Sequence, residues 1–95
     1  MASKEEFVDM LSNQTIWEEP VPGGGRRTYV PTGAVLRIYN DCMLNEEDYN
    51  TFIRKLMIAG KYKSKAQAQE RFRSAQNELW THYGYEVREL QTPEK

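Results

Sequence analysis

Histidine and cysteine are almost missing from this chain: its 95 residues hold one of each, His82 and Cys42. A serine or cysteine triad would have to use His82, which stands beside Trp80 and Tyr83 with Glu78 one helical turn earlier. Glu78 and His82 are two ligands at helical spacing, and two ligands do not make a metal site. His82 is therefore expected at a helix C-terminus, where the dipole favours a cation. Cys42 cannot close an internal disulfide, which agrees with a reducing compartment, and is expected as a small half-buried apolar side chain.

Long hydrophobic runs are lacking too. No stretch is long enough to span a bilayer, and the start "MASKEEFVDML" lacks the positive-then-apolar order of a secretory signal, so a cytoplasmic location is expected. The segment "GGGRR" lacks the Lys and Ser or Thr that complete a phosphate-binding loop. Glu18 and Glu19, and Glu46 and Glu47, belong to a loop and a helix start, and nothing demands acid or base chemistry from them. Neither catalysis nor a cofactor or metal is expected.

What is present describes an ordinary globular chain. A hydrophobic fraction of 39% and a charged fraction of 28% suit a soluble protein, and the length suits one domain with one modest core. Ser3 and Glu6 form a capping box before Phe7, Met10 and Leu11, predicting a short helix over about Lys4–Leu11. "TIW" is brief and β-prone. "EEPVPGGGRR" collects two prolines and three glycines, predicting a flexible loop over about 18–27. "TYVPTGAVLRIYN" reads as a β-hairpin over about 28–40, turning at Pro31, Thr32 and Gly33, with Leu36 and Ile38 on one face and Val35, Arg37 and Tyr39 on the other.

Asn45 opens a helix with Glu46, Glu47 and Asp48 in its first turn. Its stripe is Tyr49, Phe52, Ile53, Leu56 and Ala59, and Gly60 is placed to end it. Ser64 and Gln67 make another capping box, opening a helix with the stripe Ala68, Phe72, Ala75, Leu79 and Tyr83, closed by Gly84. "YEVREL", Tyr85–Leu90, alternates like a last strand, and "QTPEK" is a polar tail expected to fray. The sum is an α+β fold: a small antiparallel sheet, made of the hairpin and the C-terminal strand, packed on two antiparallel helices with a short N-terminal helix.

Two function classes stay open. In the first, the protein binds and modulates a partner protein. Met57 and Ile58 fall off the stripe of their helix, and with Trp17, Arg26 and Arg27 they supply apolar anchors and arginines of the kind that dominate binding energy. In the second, it binds DNA or RNA. From Arg54 to Arg73 the chain carries seven basic residues and one acid although its net charge is −1, and Tyr62 sits between Lys61 and Lys63 where it could stack on a base. Only Lys61, Lys63 and Lys65 cluster plausibly, because Arg71 and Arg73 stand about 200° apart around their helix and straddle the Phe72 stripe. Salt dependence separates the classes, since phosphate contacts release counterions. A homodimer is compatible with either.

From Val35 to Leu79, the order strand, capped helix, turn "GKYKSKAQ", capped helix resembles the ribbon-helix-helix regulators. That resemblance implies a dimeric ribbon in the major groove, with Val35, Arg37 and Tyr39 reading bases. Gln69, where an apolar residue is expected, and a hairpin partner preceding the strand depart from the pattern. As a short soluble chain, aromatic and charged, with no reactive cluster, the whole resembles the small accessory proteins of tailed phages. This implies a protein that binds and inhibits or redirects a host enzyme in the host cytoplasm.

Overall fold

The computed structural model describes residues 14–90, and in them a two-stranded antiparallel hairpin precedes three helices, an α+β arrangement. The hairpin pairs β1 (Trp17–Pro20) with β2 (Arg26–Tyr29), and α1 (Thr32–Leu44), α2 (Tyr49–Gly60) and α3 (Lys65–Tyr83) follow. The expected N-terminal helix over Lys4–Leu11 and the tail over 91–95 lie outside the described residues.

The hairpin expected over 28–40 is displaced. Its second strand is helix α1, and the true hairpin lies upstream, folded about the glycines that composition marks as a loop. Glu18–Pro20 and Arg26–Arg27 are strand residues, and Gly23, Gly24 and Gly25 all turn at positive φ, where only glycine is unstrained. Val21 N–H donates to Gly25 O (3.2 Å) to close the turn. The run from Ala34 is helical because Pro31, with φ −63° and ψ 157°, stands at the N-cap and its carbonyl accepts from Ala34 and Val35. A short apolar run fits a buried strand or a buried helix equally in its periodicity. Here Thr32 through Leu36 are all buried, which a helix start wedged between other helices achieves. The ribbon that the regulator resemblance needs is thus helix at Val35–Tyr39.

The helix expected from Asn45 begins later. Asn45 caps the end of α1 and Glu46 takes the left-handed conformation (φ 56°), while Asp48 caps α2 by accepting Thr51 N–H at 2.8 Å. Phe52, Ile53 and Leu56 are buried as their spacing requires. Gly60 is the last residue of α2, and Lys61 provides the left-handed cap (φ 55°). The need for glycine at 60 is spatial, since a Cβ there would stand 2.3 Å from the Tyr62 ring. Ser64 caps α3 by accepting Gln67 N–H, Gln67 Oε1 accepts Lys63 N–H in return, and Gly84 (φ 62°) ends the helix.

Tyr85–Leu90 is not a strand, and the sheet has two strands among the described residues. The segment finds side-chain partners instead: Gln76 donates to Val87 O and the Tyr39 hydroxyl to Arg88 O, both at 2.6 Å. Val87 is buried beneath it.

Three helices, rather than two, enclose the core. Phe52 and Phe72 meet edge to face at 4.9 Å, and Tyr39 and Tyr49 pack around them. Edge-to-face packing suits the ring quadrupoles. Cys42 is completely buried, and burial raises its thiol pKa. His82 is the last basic residue of α3, as expected. No helix is long and apolar enough to cross a membrane, and no group of three or more His, Cys, Asp or Glu could hold a metal ion, both among the described residues.

Candidate functional site

The hairpin stands against the α2–α3 corner, and two open grooves separate them. The first, about 590 Å³, runs between the hairpin base and α3, with Trp17, Tyr29, Tyr62, Arg71, Glu78 and Tyr83 in its walls. The second, about 600 Å³, lies between β2 and the turn after α2, with Arg26, Arg27, Lys61, Tyr62 and Lys63 in its walls. Thr28 and Tyr62 line both, so the two adjoin at β2.

The floor of the first groove is a polar seam. Arg71 donates from Nε (3.2 Å) and Nη2 (3.0 Å) to Val30 O, and from Nη2 to Thr32 Oγ1 (3.1 Å). The Thr32 hydroxyl in turn donates to the Glu78 carboxylate. Val30 and Thr32 are buried, so an unpaired carbonyl or hydroxyl here would be costly and the guanidinium satisfies both. At the lip, Trp17 stacks on Tyr29 at 4.4 Å and 17°, leaving the indole 48% exposed. Arg27 lies over the Tyr29 ring at 4.7 Å.

Around the second groove the cations are largely matched. Glu18 accepts from Lys61, from Arg26 and from Thr28, and Glu19 accepts from Arg27. The Lys61 ammonium, chiefly, holds the Glu18 carboxyl below its ordinary pKa, and the Arg27 hydrogen bond does the same for Glu19. Lys61 thereby ties the α2–α3 corner to β1, 43 residues away in sequence.

The two sets of residues singled out in the sequence meet here in part. Trp17, Arg26 and Arg27, chosen as protein anchors, share these walls with Lys61, Tyr62 and Lys63, chosen for nucleic acid. Lys65 is turned to Asn50 Oδ1 (3.1 Å) at the start of α3. Arg37 stands apart on α1 and donates to Gln14 O. Met57 is half-buried against the core and Ile58 is 67% exposed, and neither lines a groove.

Arg71, Thr32 and Thr28 are site residues that sequence reasoning missed. Arg71 carried one usable signal, its place beside the Phe72 stripe, which foretells a stem along the core edge but not the carbonyl it reaches. Thr32 and Thr28 carried none. Comparison of the chain with protein-family models, curated proteins and solved structures finds no match in any of the three.

Proposed function

We propose that this is a small non-catalytic binding protein that engages a partner protein and modulates it, with a host-cell enzyme as the first class of partner to test. The observation that carries the reading is the charge matching at the hairpin: Lys61, Arg26 and Arg27 are paired with Glu18 or Glu19 beside an exposed, pre-stacked tryptophan. A phosphate-binding surface presents unmatched cations. Aromatic and arginine side chains in a partly neutralised setting are typical of the anchors of protein interfaces. Trp17, Arg26 and Arg27 form the proposed contact surface, with Ile58 a second exposed apolar point on α2 and Met57, half-buried against the core, next to it in the chain.

A DNA- or RNA-binding regulator is the second reading, and it rests on the same groove, where four cations outnumber the two acids that pair with three of them. Photo-crosslinking from positions 17 and 58 in a host lysate, with and without nuclease and at two salt concentrations, separates the two. A discrete protein adduct that survives both treatments supports the first. Adducts that vanish with nuclease or salt overturn it in favour of the second.

A further inference from the structure

A two-stranded sheet has two outer edges, and this hairpin treats them differently. The register pairs Trp17 with Tyr29, Glu18 with Thr28, Glu19 with Arg27 and Pro20 with Arg26. The bond from Val21 N–H to Gly25 O makes that pair hydrogen-bonded. Antiparallel alternation then makes Glu19–Arg27 and Trp17–Tyr29 hydrogen-bonded pairs and leaves the N–H and C=O groups of Arg26 and Thr28 directed outward. Pro20 fits this phase, because it has no N–H to give. On β1 the same proline interrupts the outer edge, a common device against strand addition.

The β2 edge has no such block. Among the described residues nothing pairs with the main-chain groups of Arg26 or Thr28. Two residues further on, the Val30 carbonyl points towards α3 and is capped there by Arg71. The edge that carries these groups therefore adjoins both grooves, which Thr28 lines, and ends at Arg71. Around the lower groove the four cations Arg26, Arg27, Lys61 and Lys63 outnumber the two acids, Glu18 and Glu19, that pair with the first three, and this excess of positive charge favours a negatively charged occupant.

We propose that the outer edge of β2 receives an extended acidic segment of a partner protein as a third strand, with Arg26 and Thr28 as the main-chain docking points. This rests on the protein-binding reading above and specifies its mode. A strand supplies both donors and acceptors, and so satisfies the outward carbonyls as well as the outward amides. A phosphate chain accepts only, and would leave the two carbonyls without donors. A second copy of β2 would bring the arginines of both strands together, which like-charge repulsion across a strand pair disfavours.

The test titrates the labelled full chain with two short alternating peptides of equal length. One carries Glu, the other Lys, at every second place between Val and Thr. The Glu peptide is expected to bind and to slow amide exchange at Arg26 and Thr28, leaving Arg27 and Tyr29 unchanged. Thr28→Pro removes one outward amide without breaking a main-chain hairpin bond, losing besides it only the Thr28 hydroxyl bond to Glu18, and is expected to weaken binding by about tenfold. Lys63→Glu shifts preference towards the Lys peptide. Failure of the Glu peptide to bind, binding without protection of the two amides, or full affinity in Thr28→Pro overturns the proposal. Tighter binding of a short single-stranded oligonucleotide in the same groove overturns it in favour of phosphate recognition. Should Thr28→Pro lose the Trp17–Tyr29 stack, seen in ring-current shifts, the exchange and Lys63→Glu arms decide. If the crosslink from position 17 persists in a folded Thr28→Pro, protein binding stands and the edge falls. If no protein is ever crosslinked, protein binding falls with it.

Discussion

The helical body and the hairpin are held together by different forces. In the body, Phe52, Leu56, Ala68 and Cys42 are completely buried, and the helices meet through apolar contact. In the hairpin no residue of either strand is buried, and cohesion comes from the strand pairing, one ring stack, the ion pairs of Glu18 with Arg26 and of Glu19 with Arg27, the Thr28 bond to Glu18, and the turn. Apolar burial barely responds to pH, while exposed ion pairs are weak singly and screened by salt. The chain thus carries a body of fixed stability and an arm that solution conditions tune. Arg71 links them, rooted in the body and bonded to the carbonyl where the arm ends.

The largest effects should come from the body. Phe52→Ala or Phe72→Ala is expected to cost about 3–5 kcal/mol in urea denaturation, since each leaves a cavity under a shared edge-to-face pair. The hairpin would be lost with the core, because it has none of its own. Removing the link comes next. Arg71→Met leaves the buried Val30 carbonyl without its donors and should cost about 1–3 kcal/mol, with amide exchange rising in β2 before it rises in α2. Equal acceleration in both would show that arm and body are one cooperative unit.

Gly60→Ala sharpens the boundary between the two regions. The added methyl would overlap the Tyr62 ring, and overpacking of this kind costs about 1–3 kcal/mol. Tyr62 should swing into the grooves it lines, which its fluorescence and any groove ligand would report.

The smallest effect belongs to the arm alone. Glu18 and Glu19 have lowered pKa values in the folded chain, so their pairs contribute fully above the ordinary carboxylate value of 4.5 and lose that contribution as pH falls below it through the lowered values. As pH falls below 4.5, Trp17 fluorescence should therefore change before helical circular dichroism does. Glu18→Gln should remove part of that early phase, and added salt should mimic it at neutral pH.

Residues with strong local chemistry were legible in the sequence. The Ser64 and Gln67 capping box, the Gly84 cap and the Phe52, Ile53 and Leu56 stripe each arise from contacts within one or two helical turns. Segments whose conformation depends on distant partners were not. Ala34–Tyr39 contains β-branched and aromatic residues that suit a strand, and its helix gains a donor-acceptor contact from Gln14, whose Oε1 accepts Gly33 N–H at 3.0 Å. Tyr85–Leu90 alternates like a strand, but the carbonyls that a neighbouring strand would use are taken by Gln76 and Tyr39. At the site, Trp17, Tyr62 and the cations Arg26, Arg27, Lys61 and Lys63 could be named from the chain, whereas Arg71 and the acids that neutralise the cations could not, because Glu18 and Lys61 meet only when the hairpin folds down on the corner.

By itself, then, the sequence determined the two later helices, the caps of the last one and the buried faces of both. Tertiary structure alone decided which strands pair, that Val35 sits in a helix, and that the Val30 carbonyl at the end of the hairpin meets Arg71. The division follows from range. Caps and stripes are satisfied by neighbours a turn away, while an apolar run or a run of glycines takes whichever conformation its distant partners can bury or bond.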